Sequence, residues 1–169
     1  RTRVEMARLH LRLGQEESAI DELLRASEAI ANLPPGGQDE DVLELARSIA
    51  VLLGEGYAQL GKWEHVVRHL AALATDPDCD AGIRVRLGRA YLALGRNGEA
   101  RDQLVLACDA GAPHGVEAEL ALGQLDMETG DPLAARDHLR RATSSPDARI
   151  GGTALLALAG LHREGEDPR

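Results

Sequence analysis

Residues 87–107 read LGRAYLALGRNGEARDQLVLA and predict two helices that fold back on each other. In the first half, apolar residues three or four positions apart share one helical face; these are Leu87, Ala90, Tyr91 and Leu94. Gly95 and Gly98 then bracket a short connection, since glycine takes positive φ without strain. Gly88 and Ala100 are small residues where the helices would cross, which predicts a close approach of the backbones. Such a hairpin cannot bury both of its apolar faces alone, so we expect similar neighbours.

The same pattern recurs along the chain. Gly61, Gly95 and Gly130 lie 34 and 35 residues apart, and an earlier copy surrounds Gly14. Self-similarity at this period, in helix–turn–helix units, is typical of a helical solenoid. We therefore expect an all-α fold that forms a single array over residues 1–169. The expected units are 1–33, 42–79, 81–113 and 115–146, followed by a partial fifth unit at 147–169.

One interval departs from this period, because Gly14 and Gly61 are 47 residues apart. The excess lies at residues 32–41, where two prolines end one helix and two glycines permit a turn. Asp39 or Asp41 would cap the helix that follows. The pattern predicts an inserted hairpin tip between two lengthened helices. It is either a tolerated surface insertion or a wall beside a binding groove.

Composition limits the kinds of partner. The net charge of −9 argues against nucleic acid, because clustered Lys and Arg dominate that kind of binding. The longest apolar run, residues 154–161, is too short to span a membrane. Two cysteines make no disulfide framework, which favours a reducing compartment. Lys62 is the only Lys among 19 basic residues. Such a preference for Arg over Lys is typical of bacterial genomes rich in GC. We expect a bacterial, cytoplasmic protein without nucleic-acid or membrane partners.

Two motifs suggest chemistry and are better explained as helix. Residues 56–62 match GxxxxGK, but Trp63 stands where Ser or Thr would bind magnesium, and no strand precedes them. His65 and His69 are four apart, yet no third metal ligand is apparent and the Glu of a metalloprotease motif is missing. We therefore expect no catalytic residues, no cofactor and no metal, and predict that the chain is not an enzyme.

The stretches LGRAYLALGRNGEA (87–100) and LGEGYAQLGKWEHV (53–66) resemble the tetratricopeptide repeat (TPR) family. The Leu-Gly pair, the Tyr, the turn Gly and the small residue that opens the second helix stand in family order. The resemblance implies a right-handed α-α superhelix whose concave groove is lined by the first helix of each unit. It also implies a protein or peptide partner in that groove.

The resemblance assigns the partner-binding groove to twelve positions in this sequence. They are Arg8, Leu11, Arg12, Val51, Glu55, Gln59, Val85, Arg86, Arg89, Leu120, Gln124 and Met127. The four arginines among them either form a solvated face or bind an acidic or phosphorylated peptide through bidentate contacts. The carboxylate clamp of some TPR proteins is not matched, since only Arg86 fits its pattern.

The function expected from the resemblance is that of a scaffold for protein–protein interaction. The alternative is a ligand-sensing or regulatory module of a larger bacterial signalling or transcription-regulatory protein. Leucines in the last helix, at positions 155, 156, 158 and 161, predict an exposed apolar surface. Self-association through that helix is therefore possible. Neither the partner nor the oligomeric state follows from the residues.

Overall fold

The computed structural model describes residues 2–34, 39–110 and 113–166, with side chains as far as residue 163. Every regular element in these ranges is a helix, so the predicted all-α fold is confirmed. The α-helices are α1 (Thr2–Arg12), α2 (Glu16–Ala31), α3 (Glu40–Gln59), α4 (Trp63–Leu70), α5 (Ala81–Ala93), α6 (Asn97–Cys108), α7 (His114–Thr129), α8 (Pro132–Ala142) and α9 (Ala148–Glu166). They form two compact units, Arg1–Asp78 and Cys79–Arg169. In the described ranges no helix is long and apolar enough to cross a membrane.

Four pairs of helices are joined by the same glycine turn. Gly14, Gly61, Gly95 and Gly130 all have φ between 66° and 79°, as the sequence predicts for turn residues. In each turn the glycine N–H donates to the carbonyl three residues back, and the next N–H donates to the carbonyl five residues back. This pair of bonds is the Schellman motif, which ends a helix and favours glycine because other residues strain at positive φ. The prediction for Gly98 is wrong: it lies inside α6, since one left-handed residue completes the turn.

A small residue lies where the two helices of a hairpin cross. An ideal Cβ placed on Gly88 would lie 2.7 Å from Cγ of Leu104, and one on Gly123 would lie 2.7 Å from Cγ of Leu139. Gly54 has the same relation to Leu70, at 2.8 Å. Each glycine stands seven residues before its turn glycine and sixteen before its leucine. In the first hairpin the equivalent positions hold Ala7 and Leu23, and both are fully buried.

Unit Cys79–Arg169 has two described core clusters, each shared between successive hairpins. The first contains Val85 of α5, Leu104 and Ala107 of α6, and Ala118, Ala121 and Leu122 of α7. The second contains Leu120 of α7, Leu139 and Ala142 of α8, and Ile150 and Ala154 of α9. Each hairpin in this unit therefore buries its outer face against the first helix of the next one, as expected for stacked repeats.

In unit Arg1–Asp78, the helices around the predicted insertion are long. Helices α2 and α3 have 16 and 20 residues, compared with 13 and 12 in α5 and α6. Asp39 caps α3, because its side chain accepts a hydrogen bond of 3.0 Å from the Val42 N–H. Of the predicted tip at 32–41, residues 35–38 lie outside the described residues. Its structural role stays a prediction.

The second helix of the next hairpin is shorter than its apolar spacing predicts. Helix α4 ends at Leu70, and a separate 3-10 turn follows at Leu73–Thr75. The Thr75 hydroxyl donates to the carbonyl of Ala72 at 2.7 Å, which satisfies one acceptor at this end. Pro77, two residues later, cannot continue a helix. Leu73, three residues after Leu70, therefore falls in the 3-10 turn.

The glycine at the crossing of α5 and α6 provides a test of this packing. Gly88→Leu should lower the free energy of unfolding by about 1–3 kcal/mol, because the new side chain must displace the fully buried Leu104. Urea denaturation followed by circular dichroism measures the change. The matched control is Gly98→Leu in the same hairpin, where a new Cβ meets nothing within 4 Å. We expect this control to be neutral or slightly stabilising, and equal midpoints for the two variants would contradict the crossing.

Candidate partner-binding surfaces

In unit Arg1–Asp78, helices α1 and α3 form a shallow cavity of about 280 Å³ that we call the α1–α3 surface. Its lining residues are Arg8, Leu11, Arg12, Leu52 and Glu55. Four of these five are predicted groove residues, and their role in binding stays a prediction. The Arg8 guanidinium donates to Ser48 Oγ at 3.1 Å and lies 4.0 Å from Glu5. Arg12 is exposed and has no ion pair among the described residues, which leaves its charge available.

In unit Cys79–Arg169, helices α5 and α7 form a second cavity of about 470 Å³, the α5–α7 surface. Its lining residues are Leu92, Ala93, Gln124, Leu125, Met127 and Glu128. Gln124 and Met127 are predicted groove residues, and both side chains are accessible. The surface is mainly apolar with one amide and one carboxylate, so it suits an aliphatic side chain beside a hydrogen-bonding backbone.

Other predicted groove residues lie in less accessible places. Val85 and Leu120 are only 3% and 5% exposed and belong to the two core clusters, so a partner cannot reach them in this structure. Both sit on first helices, but on the side that packs against the neighbouring hairpin. Val51 is half-buried, and Gln59 is exposed at the end of α3.

The two predicted arginines of α5 differ from each other. Arg89 forms a 2.6 Å ion pair with Glu117 of α7, so its charge is already neutralised within the protein. Arg86 is half-buried and has no ion pair among the described residues. The available positive charge on the predicted groove positions is therefore smaller than four arginines would suggest, and comes chiefly from Arg12 and Arg86.

Sequence reasoning missed a network of charged groups between α6, α7 and α8. Asp126, 1% exposed, accepts a 2.5 Å hydrogen bond from Arg101 of the preceding hairpin. On the other side, His138 Nε2 lies 3.6 Å from the second oxygen of Asp126. His138 Nδ1 lies 2.6 Å from Glu119, to which Arg141 also donates at 2.7 Å. The sequence signal for this network is the 35-residue repeat. Arg84 and Gln103, which share a side-chain hydrogen bond, stand 35 residues before Glu119 and His138.

The network shifts the pKa values of Glu119, Arg141 and the neighbouring Cys108. Burial opposes ionisation of Glu119, but hydrogen bonds from Arg141 and His138 outweigh it, so the pKa of Glu119 is lowered. The hydrogen bond to Glu119 raises the pKa of Arg141 in return. Burial, together with the charge of Glu119, raises the pKa of Cys108 to about 12. The Cys108 thiol therefore stays protonated near neutral pH and is a poor nucleophile.

The two motifs that suggested chemistry have structural explanations. His65 and His69 both pack against the Tyr57 ring, with ring centroids 4.6 and 5.5 Å apart. Burial lowers the pKa of His69, and the nearby Arg68 and His65 add to the effect. No group of three or more metal-ligating side chains occurs in the described part of the chain. The GxxxxGK stretch runs from the end of α3 into the Gly61 turn.

The chain matches no protein-family model and no curated protein sequence. The TPR resemblance therefore depends on the residues of the chain itself.

The Glu119 network leads to a prediction about pH. Glu119→Gln removes the charge that Arg141 and His138 stabilise. The pKa of Glu119 is lowered on folding. Its carboxylate therefore stabilises the fold at pH values above 4.5, the ordinary pKa of the side chain. That contribution is lost as pH falls through the lower pKa of the folded state. We expect wild type to be more stable than the variant near neutral pH, and the difference to shrink in acid.

Urea unfolding of both proteins, at intervals from about pH 7 to about pH 3, measures this difference. Glu28→Gln is a suitable control, because Glu28 is exposed on α2 and has no ion pair among the described residues. A stability difference for Glu119→Gln that stays constant over this range would contradict the assignment.

Proposed function

We propose that the chain is a TPR-like scaffold that binds an extended peptide or partner segment along the first helices of its hairpins. The observation that carries the proposal is the repeated register. The turn glycine, the crossing glycine and the opposing leucine recur together at 34 and 35 residues in three successive hairpins. In this proposal the hairpins stack as a right-handed superhelix, and the partner lies on its concave side.

Both cavities on first helices support a binding role. The α1–α3 and α5–α7 surfaces are shallow and combine apolar side chains with a few polar groups. Such surfaces suit a peptide whose backbone and alternate side chains are held at several weak positions. Arg12 and Arg86 are suited to an acidic or phosphorylated residue, because guanidinium binds carboxylate and phosphate in a bidentate manner. This function needs no catalytic residue, cofactor or metal, and fits a bacterial cytoplasmic protein without nucleic-acid or membrane partners.

Binding to an array of acidic and phosphorylated peptides tests the proposal. Wild-type protein should bind a subset of these peptides, and Arg12→Gln with Arg86→Gln should weaken binding by about tenfold or more, since each change removes a charge-assisted contact. Arg25→Gln is the matched control, because Arg25 lies exposed on α2, away from both surfaces. If all three proteins bind the same peptides equally well, or none binds any, the proposed groove is wrong.

A regulatory module is the second candidate, and exposed apolar residues on α1 and just after its end favour it. Met6, Leu9 and Leu13 are 46–61% exposed. Met6 precedes Ala7 in the same way that Leu122 precedes Gly123 in a later hairpin. Leu122 is fully buried against α6, whereas Met6 is exposed. A neighbouring effector domain would cover this face of α1. The complete gene sequence separates the candidates, because an adjoining DNA-binding, kinase or ATPase domain would favour regulation over scaffolding.

A further inference from the structure

Helices α8 and α9 enclose a cavity of about 540 Å³ that differs from the proposed groove in position and charge. Its lining residues are Pro132, Leu133, Arg136, Arg140, Leu158, Leu161 and His162. Two arginines one turn apart give it a positive side, and the leucines give it an apolar side. Among the side chains that the structure describes, no carboxylate lines it, although the protein as a whole carries a net charge of −9. We call it the α8–α9 pocket.

The repeat shows what Arg136 lacks. Arg136 stands 35 residues after Arg101, and Leu161 stands 35 residues after Asp126. One unit earlier, Arg101 of α6 forms an ion pair with the buried Asp126 of α7, across the boundary that is equivalent to α8–α9. In the α8–α9 pocket the carboxylate position is taken by Leu161, which cannot accept a hydrogen bond. The arginine is retained and its partner is replaced.

The consequence is an unsatisfied hydrogen-bond donor. Arg136 Nε is buried and has no hydrogen-bond partner among the described residues. Neither Arg136 nor Arg140 has an ion pair there, whereas Arg141, on another side of α8, is paired with Glu119. A buried guanidinium donor without an acceptor is costly, so an anion that enters the pocket gains a ready partner.

We propose that the α8–α9 pocket binds the acidic side chain of an extended peptide in which Asp or Glu is flanked by leucine-like residues. The carboxylate takes the place that Asp126 has in the preceding unit, between Arg136 and Arg140, and the aliphatic neighbours contact Leu133, Leu158 and Leu161. A second cavity of about 350 Å³ shares Pro132 and Leu161 with the pocket and adds Met127, Glu128 and Gly130. The two cavities therefore adjoin, which favours an extended peptide over a compact anion.

NMR titration with a defined peptide tests this site directly. The probe is acetyl-Leu-Asp-Leu-Asp-Leu-amide, and acetyl-Leu-Asn-Leu-Asn-Leu-amide is its uncharged counterpart. In wild-type protein the acidic probe should shift the amide signals of α8 and α9, and the uncharged one should bind about tenfold more weakly or not at all. Shifts confined to α1, α3 and α5 would assign the peptide to the proposed groove and overturn the pocket. No shifts at millimolar peptide would overturn it as well.

Two pairs of variants identify the groups involved. Arg136→Gln should weaken binding by about tenfold, whereas Arg149→Gln, an equal loss of charge on an exposed part of α9, should leave it unchanged. Leu161→Asp restores the internal carboxylate and should abolish binding of the probe. Leu161→Asn makes a change of equal size without charge and should retain binding. Equal affinity of wild type and Arg136→Gln, or of the two Leu161 variants, would overturn the proposal.

Discussion

Each hairpin depends on one close contact, in which a leucine of the second helix lies against a residue of the first helix that has little or no side chain. A glycine inside a helix costs about 1 kcal/mol relative to alanine. Full burial of the opposing leucine contributes about 1.5–3 kcal/mol, so the contact is favourable despite that cost. Leu70, Leu104 and Leu139 are all fully buried in this way. The glycine turn seven residues later then fixes the direction in which the second helix returns.

Charge adds a second layer of order in the unit Cys79–Arg169. A carboxylate as buried as Asp126 is unfavourable unless it is paired, and Arg101 and His138 approach it from two different hairpins. The pair of Arg101 and Asp126 therefore holds α6 and α7 in one arrangement, where apolar packing alone would tolerate small shifts. The next boundary, between α8 and α9, keeps the arginine and loses the acid. The two boundaries are thus alike in their backbone and different in their chemistry.

The features that the sequence predicted correctly are local ones. The turn at Gly95 and the cap at Asp39 depend on residues within one helical turn, and the crossing at Gly88 depends on a short, regular spacing. The burial of Val85 was not predictable in the same way. Its helix has two apolar sides, and periodicity alone does not say which side meets the neighbouring hairpin. Nor did the pattern reveal that Arg89 is paired with Glu117, since an ion pair between helices depends on the packed register.

The short sequence separation of the crossing contacts also bears on how the chain folds. Each glycine and its leucine are sixteen residues apart, and the loop between them is already shortened by a helix on either side. Closing so short a loop loses little chain entropy, so a hairpin forms without waiting for distant segments. During synthesis, each hairpin can close soon after its second helix leaves the ribosome and then serve as a surface for the next. The order of assembly then follows the order of translation.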